Sequence, residues 1–371
     1  MSRRKPQATP VVDDDISGRL ASLTAFLTDE DGRVAAVMAK LETTYVRSNR
    51  DVRIAAQIKR LIENAVKRRF PKKPLSGRNR RAGLGFAVVG ESGSGKTEAL
   101  EVAFAEHPAF PGYGVPGSDC VLVSVLAPGA CTLGQLGNTI LEELNYETDT
   151  LLRENEVWKR VRAQLRVQKI LFLHIDDFGN VLHQASKKEL KKIRDTLRNL
   201  MISRIWPVHL ILSGTDEIVA VTKGDRQLSR RLKYVVLDDL VPEDDAAWIT
   251  DVVTGFAKEV GLKLVAKPEE ELVPRLRRAA AFQMGLVFEI LLEAIKLCVE
   301  GRRRKIVKAD FAEAYAERTM QPEDLNMFLS PNWMQIDPSI ILEEPDEDEE
   351  SEGQQQSVGP SKNARKTTRK F

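Results

Sequence analysis

From residue 86 onward the chain alternates short apolar runs with stretches of helical period. FAVVG (86–90), VLVSVL (121–126), KILFLHID (169–176), VHLILSG (208–214) and YVVL (234–237) are too short and too apolar for surface helices. Such runs read as strands buried on both faces. Between them, an Ala-rich stretch follows residue 95, and residues 133–146, 154–167 and 187–203 repeat apolar positions every three or four residues. That spacing predicts helices with one buried face. Strands alternating with helices predict an α/β fold, a parallel five-stranded sheet with helices on both faces. Upstream, residues 51–70 place Val52, Ala55, Ile58, Leu61, Ile62 and Ala65 at helical spacing. Downstream, residues 241–318 read as helical throughout, with LVFEILLEAIKLCVEG the clearest amphipathic run.

Five regions follow from this pattern. Residues 1–50 read as a largely disordered or partly helical arm, and 51–85 as a helix and basic connector. Residues 86–240 form the α/β core, 241–320 a C-terminal helical lid, and 321–371 a disordered tail. Composition narrows the picture. The 371 residues are 42% hydrophobic and 30% charged, which suits a soluble protein with a sizeable core. No run approaches 18 apolar residues and no apolar segment follows the basic N-terminus, so the expectation is a cytoplasmic protein with no membrane span. The cysteines Cys120, Cys131 and Cys298 and the four histidines have no metal-ligand spacing. His174 reads as a strand side chain packed on a helix, and His183 as a surface residue. The net charge of +2 hides segregation. Residues 343–352 are strongly acidic and 362–371 strongly basic, and the connector from Lys67 to Arg81 carries bases and no acid.

One motif carries most of the chemistry. Gly90-Glu91-Ser92-Gly93-Ser94-Gly95-Lys96-Thr97 fits G-x-x-x-x-G-K-[ST], after a strand and before a helix. Glycines there let backbone N–H groups curl around phosphates, and the helix N-terminus adds positive potential. Lys96 is placed to reach the β and γ phosphates of ATP, and Thr97 to ligate Mg²⁺. The KILFLHID strand ends in Asp176-Asp177. Asp176 suits the metal shell, and Asp177 suits orienting or deprotonating the attacking water. Asp177 stands where most such ATPases have Glu, so it holds the water less well. After the fourth strand, Thr215 is the first candidate and Ser213 the second for a polar contact to the γ-phosphate. Before the fifth strand, Arg231, ahead of Arg230, is placed to reach a neighbouring subunit's nucleotide. VLVSVL falls between the phosphate-loop strand and the Asp176 strand, unlike simple nucleotide kinases, where those two are often direct neighbours.

GESGSGKT, LHIDDFGNVL, LILSGTDEI and DRQLSRRL, in that order and spacing, resemble an AAA+ ATPase of the TniB and TnsC family of transposition regulators. The resemblance covers roughly residues 50–318. It implies a P-loop NTPase fold of the AAA+ (ASCE) class, with ATP and Mg²⁺ as cofactors. It further implies a ring or filament on double-stranded DNA, a transposase as client and a TniQ-like targeting adaptor. Carried over by position, Lys96 and Thr97 match the Walker A residues, Asp176 the Walker B acid, Thr215 sensor 1 and Arg231 the arginine finger. The sequence departs from the family at Asp177, commonly Glu, and at Gly179, often His, and it offers no sensor-2 arginine in AAAFQMGLVFEI.

Two helices flanking the Asp176 strand carry basic stripes opposite their apolar faces. Lys159, Arg162 and Arg166 lie on the first, and Lys187, Lys191, Arg194 and Arg198 on the second. Such stripes neutralise phosphates without reading bases. Aromatics at 6% argue against a platform for stacking single strands. Two further readings stand beside the transposition regulator. One is a replication-initiator or helicase-loader ATPase, and the other a nucleotide switch that gates protein partners with little turnover.

Overall fold

The computed structural model describes residues 13–67, 81–146, 153–183, 185–265 and 271–342. The acidic and basic runs of the C-terminus and most of the 67–81 connector lie outside them. Three helices lead the chain: α1 (Asp13–Thr24), α2 (Asp29–Glu42) and α3 (Asn49–Val66). Capping boxes open the second and third, Thr28 with Asp31 and Ser48 with Asp51. Each side chain takes up a backbone N–H that the first turn leaves over, which fixes the helix start.

The core follows, each strand joined to the next by one or two helices. It comprises β1 (Gly85–Val89), α4 (Lys96–Ala105), β2 (Leu122–Leu126), α5 (Leu133–Glu143), α6 (Glu154–Val167) and β3 (Phe172–Asp176). Then come α7 (Lys187–Ile202), β4 (His209–Gly214), α8 (Glu217–Lys223), α9 (Arg226–Ser229) and β5 (Leu232–Val236). The strands are all parallel in the order β2-β3-β4-β1-β5. Alternate side chains of β1 face opposite layers. Phe86 and Val88 pack with Ile54, Ile58 and Leu100 of α3 and α4. Ala87 and Val89 pack in the layer that holds Ile140, Val161 and Leu197 of α5, α6 and α7. The strand that separates β1 from β3 in space is β4, and VLVSVL sits at the sheet edge as β2. Chain order alone had suggested VLVSVL; crossover helices free strand order in space from strand order in the chain.

The C-terminal part is helical around its own core: α10 (Pro242–Glu259), α11 (Val273–Ala279), α12 (Met284–Glu300) and α13 (Lys308–Thr319). Residues 241–318 are not helical throughout. A two-stranded parallel ladder, β6 (Lys263–Leu264) with β7 (Lys305–Ile306), interrupts them after Gly261 turns the chain at φ +71°. Nor does order end at residue 320. Met327, Phe328, Ile336 and Ile341 are buried in the lid core. Arg275 donates to the carbonyls of Met327 (2.7 Å) and Ser330 (3.0 Å), and Arg278 to that of Ile336 (2.7 Å). These arginines satisfy irregular backbone that has no ladder of its own. α2 joins the same core through Val34, Met38 and Leu41. No helix among the described residues is long and apolar enough to cross a membrane.

Candidate active site

β1 delivers the chain to Gly90 at the C-terminal edge of the sheet, and α4 begins at Lys96. The turn between them needs left-handed backbone at Gly93 (φ +78°) and Gly95 (φ +81°), which glycine supplies without strain. Lys96 is nearly buried, and its Nζ donates to the carbonyls of Gly90 (3.0 Å) and Glu91 (2.8 Å). Burial pushes its pKa down, against the opposing pull of Asp177, Asp176 and Glu91. The ammonium is therefore held at the loop, ready to exchange carbonyls for phosphate oxygens.

Thr97 follows on the first turn of α4, and its hydroxyl donates to Asp176 Oδ2 at 2.7 Å. A hydroxyl and a carboxylate in contact suit Mg²⁺, which takes one or two such protein oxygens and fills its shell with phosphates and water. Thr97 and Asp176 are the residues that would hold that ion, whose charge would offset that of the phosphates. Asp176 Oδ1 accepts from Ser213 of β4. Ser213 is in turn bonded to His174 Nε2 (2.9 Å), whose Nδ1 meets Ser124 Oγ at 2.7 Å. His174 also packs edge-on against Phe104 of α4. With burial lowering its pKa to about 4, the ring is neutral and serves as a spacer that fixes Ser213 on Asp176.

Asp177 begins a tight turn in left-handed backbone (φ +47°), and its N–H donates to Asp176 Oδ1 at 3.1 Å. Burial first, then the neighbouring charge of Asp176, raises its pKa, while Lys96 lowers it. Asp177, Lys96, Thr97, Thr215, His183 and Gly285 line one cleft of about 590 Å³. Ser213 does not line that cleft; it lies behind Asp176, whereas Thr215 faces the cleft beside Asp177. His183, expected at the surface, is half-exposed but turned toward the cleft, with Nδ1 3.3 Å from Glu217 Oε1.

A second cavity, of about 320 Å³, adjoins the loop at Ser94 and Gly95. Tyr45, Val46, Leu237, Phe256, Met284 and Phe288 line it, a mostly apolar set that suits a flat nucleobase. Arg50 of α3 spans to the loop, donating to Ser94 O at 3.3 Å. Apart from the loop residues Ser94 and Gly95, none of these residues is read from the sequence as part of the site. The legible signal was the capping box at Ser48, which starts α3 early enough to bring Tyr45 and Arg50 to the loop.

The family described as Bacterial TniB protein matches residues 42–240, more than half of the chain. The chain belongs to the TniB family. Among curated protein sequences none matches it. Solved structures similar to this TniB-family chain include Cdc6p from Pyrobaculum aerophilum, at 15% identity and TM-score 0.52, over 75% of this chain and 70% of that one. The Aeropyrum pernix ORC1 protein, in complex with DNA, is similar at 15% identity and TM-score 0.50, over 76% of this chain and 70% of that one. At this identity the likeness carries the fold, which is the AAA+ P-loop fold.

The other basic residues that the sequence of this TniB-family chain singles out do not line the cleft. Arg230 and Arg231 line a separate basic cavity of about 790 Å³ with Arg81 and Arg204. Lys159, Arg162 and Arg166 are exposed along α6, and Lys187 and Lys191 along α7. Arg194 turns toward Gly224, and Arg198 pairs with Asp195 and with Asp225 (2.6 Å), so these two leave the free stripe. Lys192 pairs with Glu154 at 3.2 Å, a link from α7 to the first turn of α6.

Proposed function

We propose that the protein is an ATP-hydrolysing AAA+ regulator of DNA transposition. It assembles on double-stranded DNA as a ring or filament and directs a transposase to the target, with a TniQ-like adaptor as a further contact. The observation that carries this reading is where Arg231 sits. It immediately precedes β5, whose first residue pairs with Gly85 at the start of β1, while the phosphate loop leaves the far end of β1. Roughly 13 Å of strand separates the two ends. Arg231 is thus out of reach of its own phosphate loop, which supports a role toward a neighbouring subunit's nucleotide, and its guanidinium donates meanwhile to Gln227 O at 2.7 Å. TniB-family membership and the exposed basic residues of α6 and α7 support the choice of DNA as the track.

Mixing subunits tests the assembly. Arg231→Ala alone lowers ATP turnover about 10³-fold, the scale of a lost arginine finger. A mixture of Arg231→Ala with Lys96→Ala regains part of the turnover, because one supplies an intact loop and the other an intact arginine. A mixture as inactive as its components rejects the shared site. Duplex binding requires ATP and weakens by about 0.9 log units per log unit of salt for each phosphate neutralised. Scrambling the duplex sequence leaves affinity unchanged; a strong preference for one short sequence counts against phosphate-only contacts. Asp177, one methylene shorter than Glu, favours the low-turnover switch as the second reading, and single-turnover measurement on DNA separates the two.

A further inference from the structure

Three polar atoms converge on one small space beside the cleft. A β-carbon built on Gly179 would meet Thr215 Oγ1 at 3.4 Å, His183 Nε2 at 3.7 Å and Glu217 Oε2 at 3.9 Å. Two of them, Thr215 Oγ1 and Glu217 Oε2, are buried and have no hydrogen-bond partner among the described residues. Buried polar atoms of native proteins are paired, with protein or with a held water. Thr215, His183 and Gly179 also line the cleft that holds Lys96 and Thr97, so the space opens toward the phosphate loop.

We propose that His183 and Glu217 form a base dyad that binds and deprotonates the attacking water over Gly179, with Thr215 as its third anchor. The proposal rests on the ATPase reading. The geometry sets the tautomer. His183 Nδ1 faces Glu217 Oε1 at 3.3 Å, so Nδ1 carries the proton toward the carboxylate and Nε2 presents its lone pair to the space above Gly179. The same histidine–carboxylate arrangement orients imidazole bases in general. In the reaction the water oxygen bonds to the γ phosphorus as the bond to the β–γ bridging oxygen breaks, and that electron pair leaves with ADP. One water proton passes to Nε2, and the half-exposed imidazolium, balanced by Glu217, sheds it to solvent. Asp177, on a short side chain in strained backbone, is left to shape the charge near Lys96.

The experiment measures kcat against pH, and ATP affinity, for the full chain and for His183→Gln, Gly179→Ala, Glu217→Gln and Asp177→Asn. His183→Gln and Gly179→Ala lower kcat about 100-fold with ATP affinity within twofold, the first by removing the proton acceptor and the second by filling the water's place. Glu217→Gln keeps an acceptor for Nδ1–H and lowers kcat about tenfold. The acid limb of the wild-type profile disappears in His183→Gln and persists in Asp177→Asn. Glu217, Asp177, Lys96, Glu98 and Glu289 are the charged groups that face the imidazole or share its cleft, and each stays in place in His183→Gln. A half-exposed histidine is not a core element, so unfolding temperature is unchanged in that variant. Unchanged kcat in His183→Gln, or an acid limb lost only in Asp177→Asn, overturns the dyad. Wild-type protein that hydrolyses no ATP, even on DNA, overturns the ATPase reading together with the dyad.

Discussion

Lys96→Ala is expected to weaken ATP binding at least 100-fold. The side chain makes two hydrogen bonds to loop carbonyls, and these same donors turn to the phosphates when ATP arrives. Hydrogen bonds to a charged group contribute about 1.5–3 kcal/mol each. Losing two therefore costs at least about 3 kcal/mol, which is more than two decades of affinity. The effect is specific to ligand. Gly90 is partly exposed and Glu91 exposed, so their carbonyls regain water partners and unfolding temperature without nucleotide changes little. What vanishes is the upward shift of that temperature on adding ATP, because only the nucleotide-bound native state carries it. Titration with a fluorescent ATP analogue and a thermal scan with and without ATP check both halves. Wild-type affinity in the variant removes Lys96 from the site.

Gly285→Ala is the second large effect, and it acts at the seam between lid and loop. Gly285 N–H donates to Gly93 O at 2.9 Å, and a β-carbon on Gly285 would sit 2.1 Å from that same oxygen. The obstacle is backbone, so no rotamer change relieves it. Either α12 lifts from the phosphate loop or the loop deforms. Overpacking of this kind costs typically 1–3 kcal/mol, and against rigid backbone it lies at the upper end. Met284, Gly285 and Phe288 line the apolar cavity next to the loop, so lifting α12 opens the wall against which a base would rest. ATP affinity falls about tenfold or more and the unfolding temperature falls with it. A variant with native stability and native affinity shows that the lid does not close the site.

The strands and the phosphate loop were legible in the sequence because their physics is local. A strand buried on both faces must be an apolar run, and a loop that cradles phosphates must carry glycines, a lysine and a hydroxyl at fixed offsets. Asp176 followed from its place at a strand tip. What escaped was set by distance along the chain. Tyr45 and Arg50 reach the loop from a segment more than 40 residues upstream, with no periodicity to announce it. His183 and Glu217 come from different elements and meet only because β3 and β4 are neighbours. The ordered segment after residue 320 escaped for another reason. Its backbone is satisfied by Arg275 and Arg278 of α11, and nothing in its own composition says so. The sheet order escaped as well, since β4 is inserted between β1 and β3 after both of these sheet neighbours have been laid down.

The lid core is closed by segments from both sides of the chain, α2 before the ATPase core and residues 327–341 after it. Lys40 to Glu259 of α10, and Glu30 to Arg302 in the turn after α12, add charged ties between α2 and the C-terminal part. Any rotation of the C-terminal helices about the Gly93–Gly285 contact would therefore carry the leading and trailing segments together, like two oars fixed to one hull. A partner holding either segment would thereby bear on the cleft, though neither segment lines it.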